Sequence, residues 1–156
     1  MTLTLLMGTI TPRPATRDEE FNKAARAAFL RRVSNPRLFE QSGRLNFFQA
    51  QKWIEQRAII DGDNLTVLTR HAYDKGGGIA LYAAPQIIGD DDKMNKSRRA
   101  GVSLGRGGRV DKYFIRDYDS NKSYAVDANK AILYGHNPDP ADPRHPSELL
   151  GAICTA

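Results

Sequence analysis

Cysteine and histidine are scarce in this sequence, and no hydrophobic run is long. The single cysteine, Cys154, cannot form a disulfide within one chain, so nothing indicates an oxidising compartment. The apolar segment 1–10 is shorter than the roughly 20 residues that span a bilayer. It also lacks the basic stretch and the cleavage site of a signal peptide. We therefore expect no transmembrane segment, no secretion signal and no membrane partner.

The few residues suited to metal or nucleophilic chemistry are poorly arranged for it. His136 and His145, with Asp139 or Asp142 between them, match no compact metal-ligand spacing. Cys154 has no basic neighbour in sequence that would activate its thiol. We expect no metal and no cofactor.

What the sequence does contain is a concentrated basic segment. From Lys93 to Arg116 there are eight lysines and arginines and one acid, a net charge of +7 against +5 for the whole chain. The remaining residues therefore sum to −2, and the basicity belongs to one patch. Such a patch favours an anionic partner, either nucleic acid or an acidic protein surface.

The chain has the usual size of one domain, at 156 residues. We expect a single α+β domain with N-terminal helices packed on a mostly antiparallel sheet. Its predicted parts are an N-terminal arm or strand at 1–15, a helical part at 16–60, a sheet at 61–135 with a long basic glycine-rich loop at 85–109, and an extended proline-rich tail at 136–156.

Local patterns predict two helices. Thr16 and Glu19 have the spacing of a capping box, which predicts a helix from there to Ser34, with an apolar stripe that includes Phe21 and Phe29. Asn46, with Gln49 three residues later, predicts a second helix that ends near Ala58.

Strands dominate after the turn cluster 61–64. Short β-forming segments predict strands at 65–69, 78–83, 110–118, 123–126 and 131–134. Because the last three are joined by four-residue turns, we expect them to form a C-terminal antiparallel meander.

The segment 110–118 carries the clearest candidate binding face. Alternation places Lys112, Phe114, Arg116 and Tyr118 on one side, a mixture of cations and rings that holds single-stranded nucleic acid. The alternative is that Phe114 packs in the core while the two cations lie at its edges.

In the preceding loop, glycine amides could converge on a phosphate, or the loop could simply be solvated. The candidate anion-binding residues are Lys96, Arg98, Arg99, Arg106, Arg109, Lys112, Phe114 and Arg116.

Metal-free RNA cleavage is the enzymatic alternative, because it needs only a base, an acid and a cation near the phosphate. The residues that offer those groups are His71, His136, Lys112, Arg116 and Tyr118. Two helices followed by an antiparallel sheet with a basic strand also resemble the architecture of small ribonuclease toxins of the barnase, EndoU and colicin group.

Taken together, these patterns favour a non-enzymatic binding or assembly protein, with no catalytic residues. It would use the basic loop and strand against nucleic acid or an acidic protein surface. A phage or viral structural subunit, part of an oligomer or larger assembly, would fit this function, as would a host-targeting inhibitor. The corresponding location is the cytoplasm or a virion. A small metal-independent endoribonuclease of toxin type is the alternative.

Overall fold

In the computed structural model, helices come first and antiparallel sheets follow, which confirms the expected α+β fold. The structure describes residues 12–70, 76–88, 98–117 and 122–149, with only the backbone at 98–99. The predicted arm at 1–15 therefore lies almost entirely outside the described residues. None of the described helices has the length and apolar character that crossing a bilayer requires.

The N-cap of helix α1 (Glu19–Val33) lies two residues after Thr16, the predicted cap. Asp18 caps it instead, with Oδ1 accepting from the Phe21 amide at 2.9 Å. The Thr16 hydroxyl contacts Asn22 Oδ1 at 2.9 Å. A carboxylate at the N-cap also favours the positive end of the helix dipole, which is why Asp18 replaces Thr16 in this role.

Helix α3 (Phe47–Asp61) follows the short helix α2 (Pro36–Phe39) and starts as predicted. The Gln49 amide donates to Asn46 Oδ1 at 2.9 Å, and the Asn46 amide donates to Gln49 Oε1 at 3.0 Å. This reciprocal pair satisfies two amides that the first helical turn leaves unpaired.

Aromatic packing joins the helices through Phe29, which belongs to the predicted stripe, but not through Phe21. Phe21 is 56% exposed, and Val33 is the buried residue of α1. The Phe47 ring makes edge-to-face contacts with Phe29 and Phe39 at centroid separations of 5.7 and 5.6 Å.

Within the described residues, seven strands form two sheets. They are β1 (Asp63–Arg70), β2 (Gly77–Ala83), β3 (Arg98–Arg99), β4 (Val102–Leu104), β5 (Val110–Asp117), β6 (Lys122–Asp127) and β7 (Ala131–Gly135). One sheet has the order β2-β1-β7, and the other has the order β3-β4-β5-β6.

The meander differs from the predicted one. β3 to β6 form a four-stranded antiparallel meander, whereas β7 pairs antiparallel with β1 in the other sheet. A 3-10 turn at Ala128–Lys130 carries the chain from β6 to β7. The register places Leu133 opposite the fully buried Leu65, so these two apolar side chains lie next to each other on one face of the sheet.

The predicted basic loop contains secondary structure over its described residues. Residues 98–109 contain β3, β4 and a 3-10 turn at Arg106–Gly108. These strands are two and three residues long, too short for a periodic pattern to predict them.

By contact density, the chain divides into two compact units. One comprises the described parts of Met1–Glu55 with Thr69–Ala80, and the other comprises Gln56–Leu68 with the described parts of Leu81–Ala156. The core of the second unit contains Leu65, Val102 and Ile115, each completely buried. All the candidate binding residues that the structure describes belong to this second unit.

Over its described residues, the proline-rich tail packs against the rest of the second unit. Ser147 Oγ donates to the Ile59 and Ile60 carbonyls at 3.0 and 2.7 Å, which caps the end of α3. Gly62, at φ +96°, lets the tail approach closely, because a Cβ there would clash with His145 O and lie 2.6 Å from Ser147 N.

Candidate nucleic-acid interface

Strand β5 presents its cations at the two ends of a face whose centre is buried. Lys112, Phe114 and Arg116 share that face, opposite Asp127, Ala125 and Ser123 of β6. Lys112 is exposed and Arg116 is half-buried. Phe114 is 9% exposed. The ring of Phe114 therefore packs in the core, which is the packing alternative, and is not presented for base stacking.

The glycine-rich turn between β4 and β5 is a folded structure that displays two arginines. The Gly105 amide donates to Arg109 O at 2.7 Å, and the Gly108 amide donates to Gly105 O at 3.3 Å. These two amides bond within the turn and are not directed at a phosphate. Arg106 and Arg109 are both exposed.

A bulge next to this turn aligns β5 with β4. Lys112 pairs with Ser103 and Val110 with Leu104, which leaves Asp111 as the extra residue. The Asp111 carboxylate lies so close to Gly105 that a Cβ there would be 2.9 Å from Oδ2. The single acid of the basic segment is therefore held at the base of the turn.

An open groove of about 470 Å³ lies beside the turn, lined by Arg109, Val110, Asp111, Lys112, Asp127, Ala128 and Asn129. Its charge is mixed, because two cations face two carboxylates. Lys130 Nζ lies 3.6 Å from Asp127 Oδ2 on an exposed surface. The groove floor is therefore a weaker anion site than the turn with Arg106.

The β3–β4 hairpin contributes two further arginines to the same sheet. Its backbone register pairs Arg98 with Ser103 and Arg99 with Val102. The two turn residues, Ala100 and Gly101, have φ of +45° and +80°. Positive φ at both positions is the pattern of a type I′ turn.

The structure thus brings most of the predicted anion-binding residues to one four-stranded sheet. β3 carries Arg98 and Arg99, the β4–β5 turn carries Arg106 and Arg109, and β5 carries Lys112 and Arg116. Lys96 lies outside the described residues.

The groups of the ribonuclease alternative are only partly described. His136 follows β7 in the other sheet, where Nδ1 lies 2.6 Å from Glu148 Oε1 and the ring meets Tyr134 edge-on at 5.7 Å. Lys112 and Arg116 lie on β5, and His71 and Tyr118 fall outside the described residues. Over the described part of the chain, there is no cluster of three or more His, Cys, Asp or Glu side chains that could hold a metal.

Sequence reasoning missed a buried ion pair that contacts the turn of the β3–β4 hairpin. Arg144 donates from Nε to Asp63 Oδ2 and from Nη2 to Asp63 Oδ1, both at 2.6 Å. Asp63 is completely buried and also accepts from the His145 amide at 3.1 Å. The sequence placed Asp63 in a turn cluster and Arg144 in a solvated tail, and no local pattern indicates that they pair.

The charges of this ion pair affect the pKa of Tyr113 in β5. Burial raises the pKa of its phenol above the ordinary value of 10.0, and the negative charge of Asp63 raises it further. The positive charge of Arg144 acts in the opposite direction. The phenol of Tyr113 therefore lies within reach of both charges of the Asp63–Arg144 pair.

Comparison with known proteins shows a partial similarity to a curated enzyme. Over 83 residues, 52% of this chain, it is 28% identical to the dual-specificity RNA methyltransferase RlmN of Saccharophagus degradans. That stretch is 21% of the methyltransferase, so the chain spans about a fifth of the length of this curated relative. No family model matches the chain.

Proposed function

We propose that the protein is a non-enzymatic binding or assembly protein that uses its four-stranded sheet against single-stranded RNA or DNA. The observation that carries this proposal is that three separate elements bring six lysines and arginines onto that sheet. Between Arg98 and Asp117 only two acids accompany them, Asp111 and Asp117. Cations arranged in this way neutralise successive phosphates of a backbone.

The mode of binding follows from what is exposed. Because Phe114 is buried, base stacking on it contributes nothing, and the contacts are to phosphates. Affinity would then depend strongly on salt and weakly on sequence. The similarity to a protein named as an RNA methyltransferase makes RNA the first ligand to test.

An assembly role uses the same surface. In a phage or viral particle, an acidic face of a neighbouring subunit would replace the phosphates as the partner. The protein would work in the cytoplasm or within a virion. Failure to bind RNA and single-stranded DNA, with retained binding to an acidic protein, would favour this version.

The ribonuclease alternative has one observation in its favour. A carboxylate 2.6 Å from His136 Nδ1 orients the imidazole and supports proton transfer at its other nitrogen. Tyr134 packs against the same ring. This pair is the group to test if RNA is cleaved.

The deciding experiment incubates the protein with labelled RNA and single-stranded DNA in EDTA across a salt series, and reads binding and strand integrity together. We expect salt-sensitive binding without cleavage. Arg106→Gln with Arg109→Gln should lower the salt slope by about 1.4, because each lost phosphate contact on a single strand contributes about 0.7.

The matched control is Lys23→Gln with Arg26→Gln, which removes the same charge from exposed positions of α1. An equal loss of binding in this control would mean that net charge, and not the sheet, attracts the ligand. Cleavage that disappears in His136→Ala would overturn the non-enzymatic proposal.

A further inference from the structure

Arg144 ties four separate chain segments together through its guanidinium. Besides the two bonds to Asp63, Nη1 donates to Ile87 O at 3.0 Å and to Ala100 O at 2.9 Å. Nη2 also donates to Ala84 O at 3.3 Å. All five N–H groups of the guanidinium are therefore engaged.

This saturation explains why an arginine can lie here. Its side chain is only 17% exposed and that of Asp63 is 1% exposed. Burying two charges is unfavourable unless they pair and their remaining donors are satisfied. A lysine has three donors in a different geometry and cannot replace the planar fork.

One of the five acceptors belongs to the turn of the β3–β4 hairpin. Ala100 is held at φ +45°, a conformation that residues with a side chain rarely adopt. Gly101 is pressed against Ile87, where a Cβ would lie 2.7 Å from the carbonyl carbon and oxygen. The Gly101 carbonyl accepts from the Phe114 amide of β5 at 2.8 Å. The turn is thus held on one side by β5 and on the other by Arg144.

We propose that Arg144, oriented by Asp63, is a positioning residue for the basic surface. It holds the β3–β4 hairpin, and with it Arg98 and Arg99, against the rest of the four-stranded sheet. Arg106, Arg109 and Lys112 do not depend on it, because they lie on the turn and strand that follow. This inference rests on the proposed function for its effect on binding, but its effect on the hairpin can be measured without any ligand.

The ligand-free test is hydrogen exchange on Arg144→Lys, which keeps the charge and loses the fork. We expect faster exchange at the amides of 102–104 and of Phe114, with the amides of β6 little changed. Unaltered exchange at the hairpin in a folded variant would overturn the proposal.

If Arg144→Lys does not fold, the wild-type protein supplies the measurement. Hydrogen exchange at increasing sub-denaturing urea identifies which amides open together. The hairpin amides and the His145 amide, which donates to Asp63, should open as one unit with one urea dependence. Opening of the hairpin independently of His145 would contradict the role of Arg144.

The binding test uses the RNA salt series. In Arg144→Lys the salt slope should fall by about 0.7 for each phosphate contact that the hairpin makes. Adding Arg98→Gln and Arg99→Gln should then lower it little further, whereas adding Arg106→Gln should lower it as much as in the wild type. Full additivity of the Arg98 and Arg99 substitutions would overturn the proposal. If wild-type protein binds neither RNA nor single-stranded DNA, the nucleic-acid version of the proposed function fails, and the exchange result alone decides the role of Arg144.

Discussion

Arg144 and Arg106 carry the same side chain in opposite surroundings. Arg144 is largely buried, and its five donors bond to Asp63 and to three backbone carbonyls. Arg106 is exposed at the tip of a glycine-rich turn. The first arginine has no donor left for a ligand, whereas the second is positioned in solvent where an anion can reach it.

This difference in burial separates charged residues that stabilise the fold from charged residues that can bind a ligand. Charges in the buried region affect folding, because removing one partner leaves the other desolvated and unpaired. Charges at the exposed turn affect folding little, since water solvates them in both folded and unfolded states. Net positive charge alone would not distinguish these two kinds of arginine.

The largest expected effect is from Asp63→Ala. Removing the carboxylate leaves the Arg144 guanidinium without its main partner and should lower the free energy of unfolding by about 3 to 5 kcal/mol. Urea denaturation measures this loss of unfolding free energy. Arg57→Ala is the comparison, because the Arg57–Asp61 pair is 3.1 Å apart on a 40% exposed arginine and should lose less than about 1 kcal/mol. Similar losses in both variants would contradict the idea that the buried pair stabilises the fold more than the exposed pair.

A smaller loss is expected for Gly62→Ala. Positive φ and the approach of the tail leave no space for a side chain, so the free energy of unfolding should fall by about 2 kcal/mol. Gly107→Ala is the control, because it shares positive φ but has open space around it. Thermal denaturation of both variants would separate the conformational strain from the clash with the tail.

Tyr113 gives a pH-dependent effect. Since burial and Asp63 raise its pKa in the folded state, the unfolded chain loses this proton first as pH rises. The contribution of Tyr113 to stability should therefore be complete below the ordinary pKa of 10.0 and be lost as the pH rises above it. Tyr113→Phe should decline less steeply over the same range in urea denaturation from pH 8 upward. Identical profiles would show that folding does not raise the pKa of this phenol.

The smallest effect on stability is expected at the exposed turn. Arg106→Gln with Arg109→Gln should change the free energy of unfolding by less than about 0.5 kcal/mol, because neither side chain is buried. Urea denaturation of the same preparations used for RNA binding provides this number. A loss comparable with that of Asp63→Ala would mean that these arginines support the fold.

Part of the molecule could be predicted from local patterns. The capping box at Asn46 and Gln49 marks the start of α3, and the β-forming segments mark β1, β2 and β5 to β7 within a few residues. These features depend on interactions between near neighbours. The short strands β3 and β4 escaped prediction, because they exist only by pairing with β5.

The sequence by itself determined that positive charge is concentrated between Lys93 and Arg116 and that helices precede strands. Only the tertiary structure decided that Phe114 is buried, that β7 joins β1, and that Arg144 pairs with Asp63 across 81 positions. Residue type and spacing control local conformation and net charge. Desolvation and hydrogen bonding between distant segments control which of those charges face water, and these depend on how the whole chain packs.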